Sequence, residues 1–177
     1  MQVLSSLHPL SGDLFCVGKK FLVFNLVARN LKVKYRRSVF GIFWTLLSPL
    51  AMATVFYFVF KIILQVTIPH YLVFVLSGML PWTFFAQTVM EGLESIVGNG
   101  SLITKVPVPT HVFPFVGTVT NLITLVLALP ILILVAIISE APIGGPPLLL
   151  GVYVFALFFI TYGVSLLAAV AFVYFRD

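Results

Sequence analysis

VFPFVGTVTNLITLVLALPILILVAII, residues 112–138, runs its whole length without an aspartate, glutamate, lysine or arginine. A helix rises about 1.5 Å per residue, so about 20 mostly apolar residues cross the roughly 30 Å hydrocarbon core of a bilayer. This stretch is long enough, and so are three others, near 43–64, 71–90 and 148–175. The sequence therefore predicts an all-α fold: a polytopic membrane bundle of four transmembrane helices. Composition agrees. Of the 177 residues 61% are apolar and 8% charged, with a mean hydropathy of +1.18, against about 45–50% and about 25% in a soluble domain. A chain of this size cannot hide so many apolar side chains from water, because small domains keep a large surface that polar groups must cover.

The same composition leaves little for chemistry. The carboxylates Asp13, Glu91, Glu94, Glu140 and Asp177 and the histidines His8, His70 and His111 are scattered, whereas metal sites and acid/base pairs need clustered groups. Cys16 stands alone and cannot form an internal disulfide. The nearest approach to a phosphate-binding loop, between Gly12 and Gly18, has five residues between its glycines where four are needed, and Lys20 where Ser or Thr should hold magnesium. No cofactor site and no enzyme are expected in this chain. The net charge of +5 raises nucleic acid as a partner only on a soluble chain; here the placement of the charge matters more.

That placement orients the chain. With the N-terminus in the cytoplasm, Lys19, Lys20, Arg29, Lys32, Lys34, Arg36, Arg37, Lys105 and Arg176 all lie inside, and Lys61 alone lies toward the outside, one turn from the end of its span and able to snorkel. Residues 1–18 read as an N-terminal tail, with Pro9, Gly12 and Asp13 and no signal-peptide pattern. Residues 19–38 read as an amphipathic interface helix. Asn25, Arg29, Lys32 and Arg36 form one stripe, and Phe24, Val27, Ala28, Leu31 and Tyr35 form another; such a helix suits anionic head groups, the alternative being a solvated basic linker. Pro49, Pro81 and Pro130 fall inside the first three spans, where each removes a backbone hydrogen bond and kinks its helix.

Between spans two and three, residues 98–111 read GNGSLITKVPVPTH. Asn99 or Ser101 is suited to cap a short helix that Pro107 would stop. Carrying Leu102, Ile103 and Lys105, such a helix would make a docking knob; the other reading is an ordinary tight loop. Glu91 and Glu94 share a helix face just before it, where pairing with interface-helix Lys or Arg competes with a proton-relay role. Tyr57, Trp82, Phe84 and Phe85 are aromatic rings on which sugar faces could stack, or lipid-facing and interfacial residues.

Three blocks in order carry a family resemblance: Lys34-Tyr35-Arg36-Arg37-Ser38 with Gly41 and Trp44-Thr45-Leu46-Leu47-Ser48-Pro49-Leu50; Ser77-Gly78-Met79-Leu80-Pro81-Trp82-Thr83-Phe84-Phe85; and Asn99, Leu102-Ile103, Lys105-Val106, Pro107 and Pro114. From about residue 29 to residue 177 the chain resembles the permease subunit of ABC-2 type exporters of O-antigen, teichoic acid or capsular polysaccharide. The resemblance implies an ABC-2 transmembrane domain over 39–177 and an interface helix that includes Arg29, Lys32, Lys34, Arg36 and Arg37. It further implies a coupling segment of Asn99, Ser101, Leu102, Ile103, Lys105, Pro107 and Pro109 that docks on a separate ATP-binding subunit. ATP and magnesium would sit on that partner. A second permease copy would complete the channel, and a lipid-linked polysaccharide would cross the bacterial inner membrane past Tyr57, Trp82, Phe84 and Phe85. Two departures stand out. Val108-Pro109 follows Pro107, where the family more often has an aromatic residue and one proline, and the chain ends after span four, where the family continues into two more, so a fragment unable to transport alone is expected. Competing expectations are an ABC-2 exporter of drugs or small lipids and a non-transporting four-span scaffold bound to anionic lipid; an intramembrane enzyme ranks last for want of convergent polar residues.

Overall fold

The computed structural model describes residues 11–36, 42–99, 109–142, 144 and 147–174. Every element among them is helical: α1 (Ser11–Arg36), α2 (Ile42–Phe56) continuing directly into a π-helical stretch (Tyr57–Ile63), α3 (Tyr71–Gly98), α4 (Val112–Ile138) and α5 (Pro147–Tyr174). α4 covers the whole of the expected range 112–138, and α5 is described over Pro147–Tyr174 where 148–175 was expected. The expected span 71–90 extends to Gly98, because nothing from Glu91 onward breaks the helix.

Three helices are long and apolar enough to cross a membrane: α3, α4 and α5 from Leu148. At 27 or 28 residues each is about 40 Å long, more than the hydrocarbon core requires. The expected first span is helical from Ile42 to Ile63, with its apolar stretch described over Leu47–Ile63. Its second half widens. The Leu64 N–H donates to Val59 O at 3.0 Å and the Val66 N–H to Phe60 O at 2.9 Å, reaching five and six residues back instead of four. The helices continue through Pro49, Pro81 and Pro130, so proline interrupts none of them.

α3 is the centre of the bundle, packing along α4 and α5, while α1 lies on α4 and α2 on α3. The buried line of α3 is Leu76, Leu80, Phe84, Thr88 and Gly92, a step of four that keeps one face turned inward. α5 answers with Thr161, Ser165 and Ala169, none of them accessible at all, also four apart. Side chains this small let two backbones approach. The approach is closest at Gly92, where an added Cβ would overlap Ser165 Oγ and lie 3.1 Å from Ser165 O, and where Ser165 Oγ donates to Thr88 O at 3.3 Å. Between α3 and α4 the packing is apolar, Leu80 and Phe84 against Leu125 and Ala128. α1 attaches through Leu26 and Val27 against Phe113 and Val116.

α1 is described from Ser11, eight residues before the expected start of the interface helix at 19, so residues 11–18 of the expected tail are helical. Its packed side also differs from the apolar stripe drawn from the sequence. Leu22, Val23, Leu26, Val27 and Leu31 face α4, whereas Phe21 and Phe24 stay exposed. At the opposite end of the bundle, His70 Nδ1 lies 2.8 Å from Ser139 O, joining the turn before α3 to the end of α4. His70 and Glu140 both adopt left-handed backbone, with φ of 47° and 51°, a conformation that side chains beyond glycine enter only when their surroundings hold them there. Lys61 donates to Ile68 O at 3.3 Å, bonding to its own turn at this end.

Candidate functional site

The polar side chains of α1 meet the bundle at the end where α3 finishes and α4 starts. Lys34 Nζ donates to Asn121 Oδ1 at 2.7 Å and lies 3.6 Å from Glu91 Oε1. Asn121 Nδ2 donates in turn to Glu91 Oε2 at 2.8 Å, which closes a ring through three helices. One turn from this ring, Tyr35 OH and Thr124 Oγ1 stand 3.2 Å apart. Asn121 is buried, and a buried amide must find partners; it is satisfied here by one cation and one carboxylate. The ion pair itself is partly solvated, with side-chain exposures of 23% for Lys34 and 45% for Glu91, so the charge alone contributes at most about 1 kcal/mol. The ring thus fixes where α1 lies on α3 and α4 more than it stabilises them.

Of the expected interface residues, Lys34 is turned inward and Arg29 and Lys32 are exposed; Arg36 is the last residue of α1, and Arg37 lies outside the described residues. Glu91 and Glu94 part company. Glu91 takes Lys34, the pairing anticipated from the sequence, while Glu94 makes no ion pair among the described residues. No continuous chain of titratable groups leads from Glu91 through the described spans, so a relay finds no support.

Of the expected coupling residues, Asn99 and Pro109 lie within the described residues, while Ser101, Leu102, Ile103, Lys105 and Pro107 lie outside them. Asn99 stands at the end of α3. It closes α3, its Nδ2 donating to Ser95 O at 2.8 Å and its backbone N–H to Val97 O, because the last carbonyls of a helix need donors from beyond it. Its Oδ1 accepts from Arg29 Nη2 at 3.4 Å. Pro109 O accepts from the Val112 N–H at 3.1 Å, opening α4. The two ends of the expected coupling segment are therefore held by α3 and α4, and the first of them also touches α1.

The four aromatic residues expected along a substrate path do not share a surface. Phe84 is 3% exposed and fills the α3–α4 core. Trp82 is 66% exposed, with its ring centroid 6.0 Å from that of Phe85. Tyr57 opens the π-helical stretch of the α2 segment. Two positions apart on a helix are on different faces, which is why Trp82 points out where Phe84 points in.

Asn121 was missed in the sequence, although the signal was present: it is an amide in the middle of the least polar run of the chain. Next to it, a cavity of about 240 Å³ is lined by Lys34, Ser48, Thr83, Gln87, Asn121 and Thr124 among others. On the other side of Lys34, a cleft of about 740 Å³ opens between α1, α3 and α4, with Arg29, Glu91, Glu94, Ser95 and Asn99 on its walls. Among the described residues no group of histidine, cysteine, aspartate and glutamate is arranged to hold a metal ion.

No family model matches the chain. An O-antigen export system permease protein RfbA of Klebsiella pneumoniae is 30% identical over 155 residues, 84% of this chain and 58% of that protein. The protein of the same name from Myxococcus xanthus is 38% identical over 112 residues, 63% of this chain and 43% of that protein. The chain thus spans about half the length of the curated relatives it matches. These relatives are named for transport and not for catalysis, in line with the expectation that the chain is not an enzyme. With its crossing-length apolar helices and this likeness over most of its length, the chain is a membrane protein homologous to the O-antigen export permeases.

Proposed function

We propose that the chain is part of the membrane-spanning permease subunit of an ATP-driven ABC exporter, and that it moves a lipid-linked polysaccharide across the bacterial inner membrane. The observation that carries this is the match to permeases named for O-antigen export over 84% of the chain, together with the crossing helices α3 to α5 within it. Two copies of the permease form the channel, and a separate subunit binds ATP and magnesium. The N-terminus is cytoplasmic, the α2 segment supplies a fourth crossing, and the basic face of α1 lies among cytoplasmic head groups.

In this mechanism residues 98–111 take up motion from the ATP-binding subunit. Asn99 passes it to α1 through Arg29, and Glu91, at the same end of α3, passes it through Lys34 and Asn121 to α1 and α4. A push on the segment then moves three helices together, which biases the bundle between a closed and an open arrangement.

The test is retention of the ATP-binding subunit. Lys105→Glu combined with Leu102→Ser and Ile103→Ser removes the charge and the apolar surface of the segment while leaving every crossing helix intact. The triple variant enters the membrane at the normal level, fails to co-purify with the ATP-binding subunit, and leaves the polysaccharide inside the cell. Undiminished co-purification would refute the docking role, and normal surface polysaccharide in a strain lacking the chain would refute the transport role.

A further inference from the structure

We propose that the cleft between α1, α3 and α4 binds the head group of a zwitterionic phospholipid bearing a primary ammonium, as in phosphatidylethanolamine. This goes beyond the transport reading and does not depend on it.

The cleft has the volume of a small-molecule site, about 740 Å³ against the usual range of about 300–1,000 Å³. It also stands at the right depth. Glu94 lies about 35 Å along α3 from Tyr71 at 1.5 Å per residue, beyond the roughly 30 Å of hydrocarbon. With Tyr71 at one boundary, the Glu94 carboxylate is level with the head groups at the other.

The charges on its walls select the ligand. Arg29 and Lys34 come from α1, and Glu91 and Glu94 from α3, so the formal charge of the four is zero. Lys34 and Glu91 are engaged with each other and with Asn121. Arg29 has only the neutral Asn99 amide at 3.4 Å, and Glu94 has no ion pair among the described residues. What is left is one exposed guanidinium and one exposed carboxylate on facing walls of one cleft. A guanidinium binds phosphate through paired N–H donors, and a carboxylate takes N–H donors from an ammonium. Phosphoethanolamine presents both groups a few bonds apart. Phosphocholine has no N–H to give Glu94, and phosphatidylglycerol offers no cation and brings its negative charge toward the carboxylate. The expected order is therefore ethanolamine above glycerol and choline, which differs from the preference of a basic surface for anionic lipid.

The test is native mass spectrometry of the full-length protein released from mixed micelles holding equal amounts of phosphatidylethanolamine, phosphatidylglycerol and phosphatidylcholine of the same acyl chains. The wild-type protein retains the ethanolamine lipid about three- to tenfold over the choline lipid, the worth of one partly solvated charged hydrogen bond. Glu94→Gln removes that preference, and Arg29→Gln lowers retention of the ethanolamine and glycerol lipids alike. Equal retention of the ethanolamine and choline lipids by the wild type would overturn the proposal, and so would stronger retention of the glycerol lipid or a preference that survives Glu94→Gln. Lys105→Gln leaves the preference unchanged; one that emerged only in this variant would assign the Glu94 carboxylate to Lys105 and would equally overturn the proposal.

Discussion

Replacing Gly92 by alanine separates the packing of α3 on α5 from every other contribution, provided that the same substitution is made at Gly163. Both glycines lie inside long helices, so the gain in helix propensity, up to about 1 kcal/mol, is common to both. Their surroundings differ. A Cβ at Gly163 meets nothing within 4 Å, whereas one at Gly92 overlaps Ser165 Oγ and lies 3.1 Å from Ser165 O and 3.2 Å from Ser165 Cβ. The hydroxyl must rotate away, losing its bond to Thr88 O, worth about 0.6 kcal/mol for an interhelical bond in a membrane. Crowding against the Ser165 backbone adds about 1–3 kcal/mol, because a packed interior has no slack. Gly92→Ala is therefore less stable than Gly163→Ala by about 2 kcal/mol, about thirtyfold in the unfolding equilibrium. Reversible unfolding in mixed micelles, followed by far-ultraviolet circular dichroism, measures both. Adding Ser165→Ala to Gly92→Ala costs less than the sum of the single changes, since the hydrogen bond is lost only once. Equal stability of the two glycine variants, or strict additivity with Ser165→Ala, would refute the close approach of α3 and α5.

Asn121→Leu strands the Lys34 ammonium and the Glu91 carboxylate beside a buried apolar group and costs about 1 kcal/mol, since both charges keep some water. In a double-mutant cycle with Lys34→Met the coupling is about 1 kcal/mol, and zero coupling would mean that the ring does not hold α1. Phe84→Ala opens a cavity in the α3–α4 core and lowers stability by about 3 kcal/mol in the same micelle assay. Trp82→Ala, on the exposed side of the same turn, changes stability by less than about 0.5 kcal/mol; equal losses at the two positions would contradict the assignment of inner and outer faces.

The crossing helices were legible because lipid imposes a length and forbids charge, and both can be counted along a chain. Residues 112–138 became α4 without a change at either end. The end of α3 was harder to see. Glu91 and Glu94 read as a boundary, but a helix leaving the hydrocarbon does not need to stop, and α3 runs on to Gly98. For α1 the sequence places Lys34 in an interface helix with Arg29, Lys32, Arg36 and Arg37. Lys34 instead turns inward, because an amide buried on α4 and a carboxylate on α3 give its ammonium partners. No single-helix pattern contains that information, since the three groups are far apart in sequence. Among the aromatic residues, chemistry names the type that a sugar would use, whereas helix geometry puts Phe84 in the core and Trp82 on the exposed side.

The inward faces were also written in the sequence, in a form that a search for apolar stripes passes over. In water an amphipathic helix shows its core by hydrophobicity. In lipid that contrast vanishes, because a leucine gains nothing by leaving acyl chains for another helix, and association depends on close packing and polar contacts. Small and polar residues accordingly share the core of this bundle with Leu76, Leu80, Phe84 and Leu125. Thr88, Thr118, Thr120, Asn121, Thr161 and Ser165 are all buried, while Phe155, Phe159, Leu148 and Leu167 are exposed. Steps of four join Phe84 to Thr88 and Gly92 on α3, and Thr161 to Ser165 and Ala169 on α5. The hydroxyls of Thr88, Thr118 and Thr120 are satisfied within the helix that bears them, each donating to the carbonyl four residues back at 2.7–2.8 Å, whereas the buried Thr161 Oγ1 has no partner among the described residues. A threonine bonded in this way is thus small enough to face another helix and needs no partner from outside its own, whereas Asn121 has no such internal solution. It draws on Glu91 of α3 and Lys34 of α1, and for that reason the one buried amide of α4 determines where α1 sits.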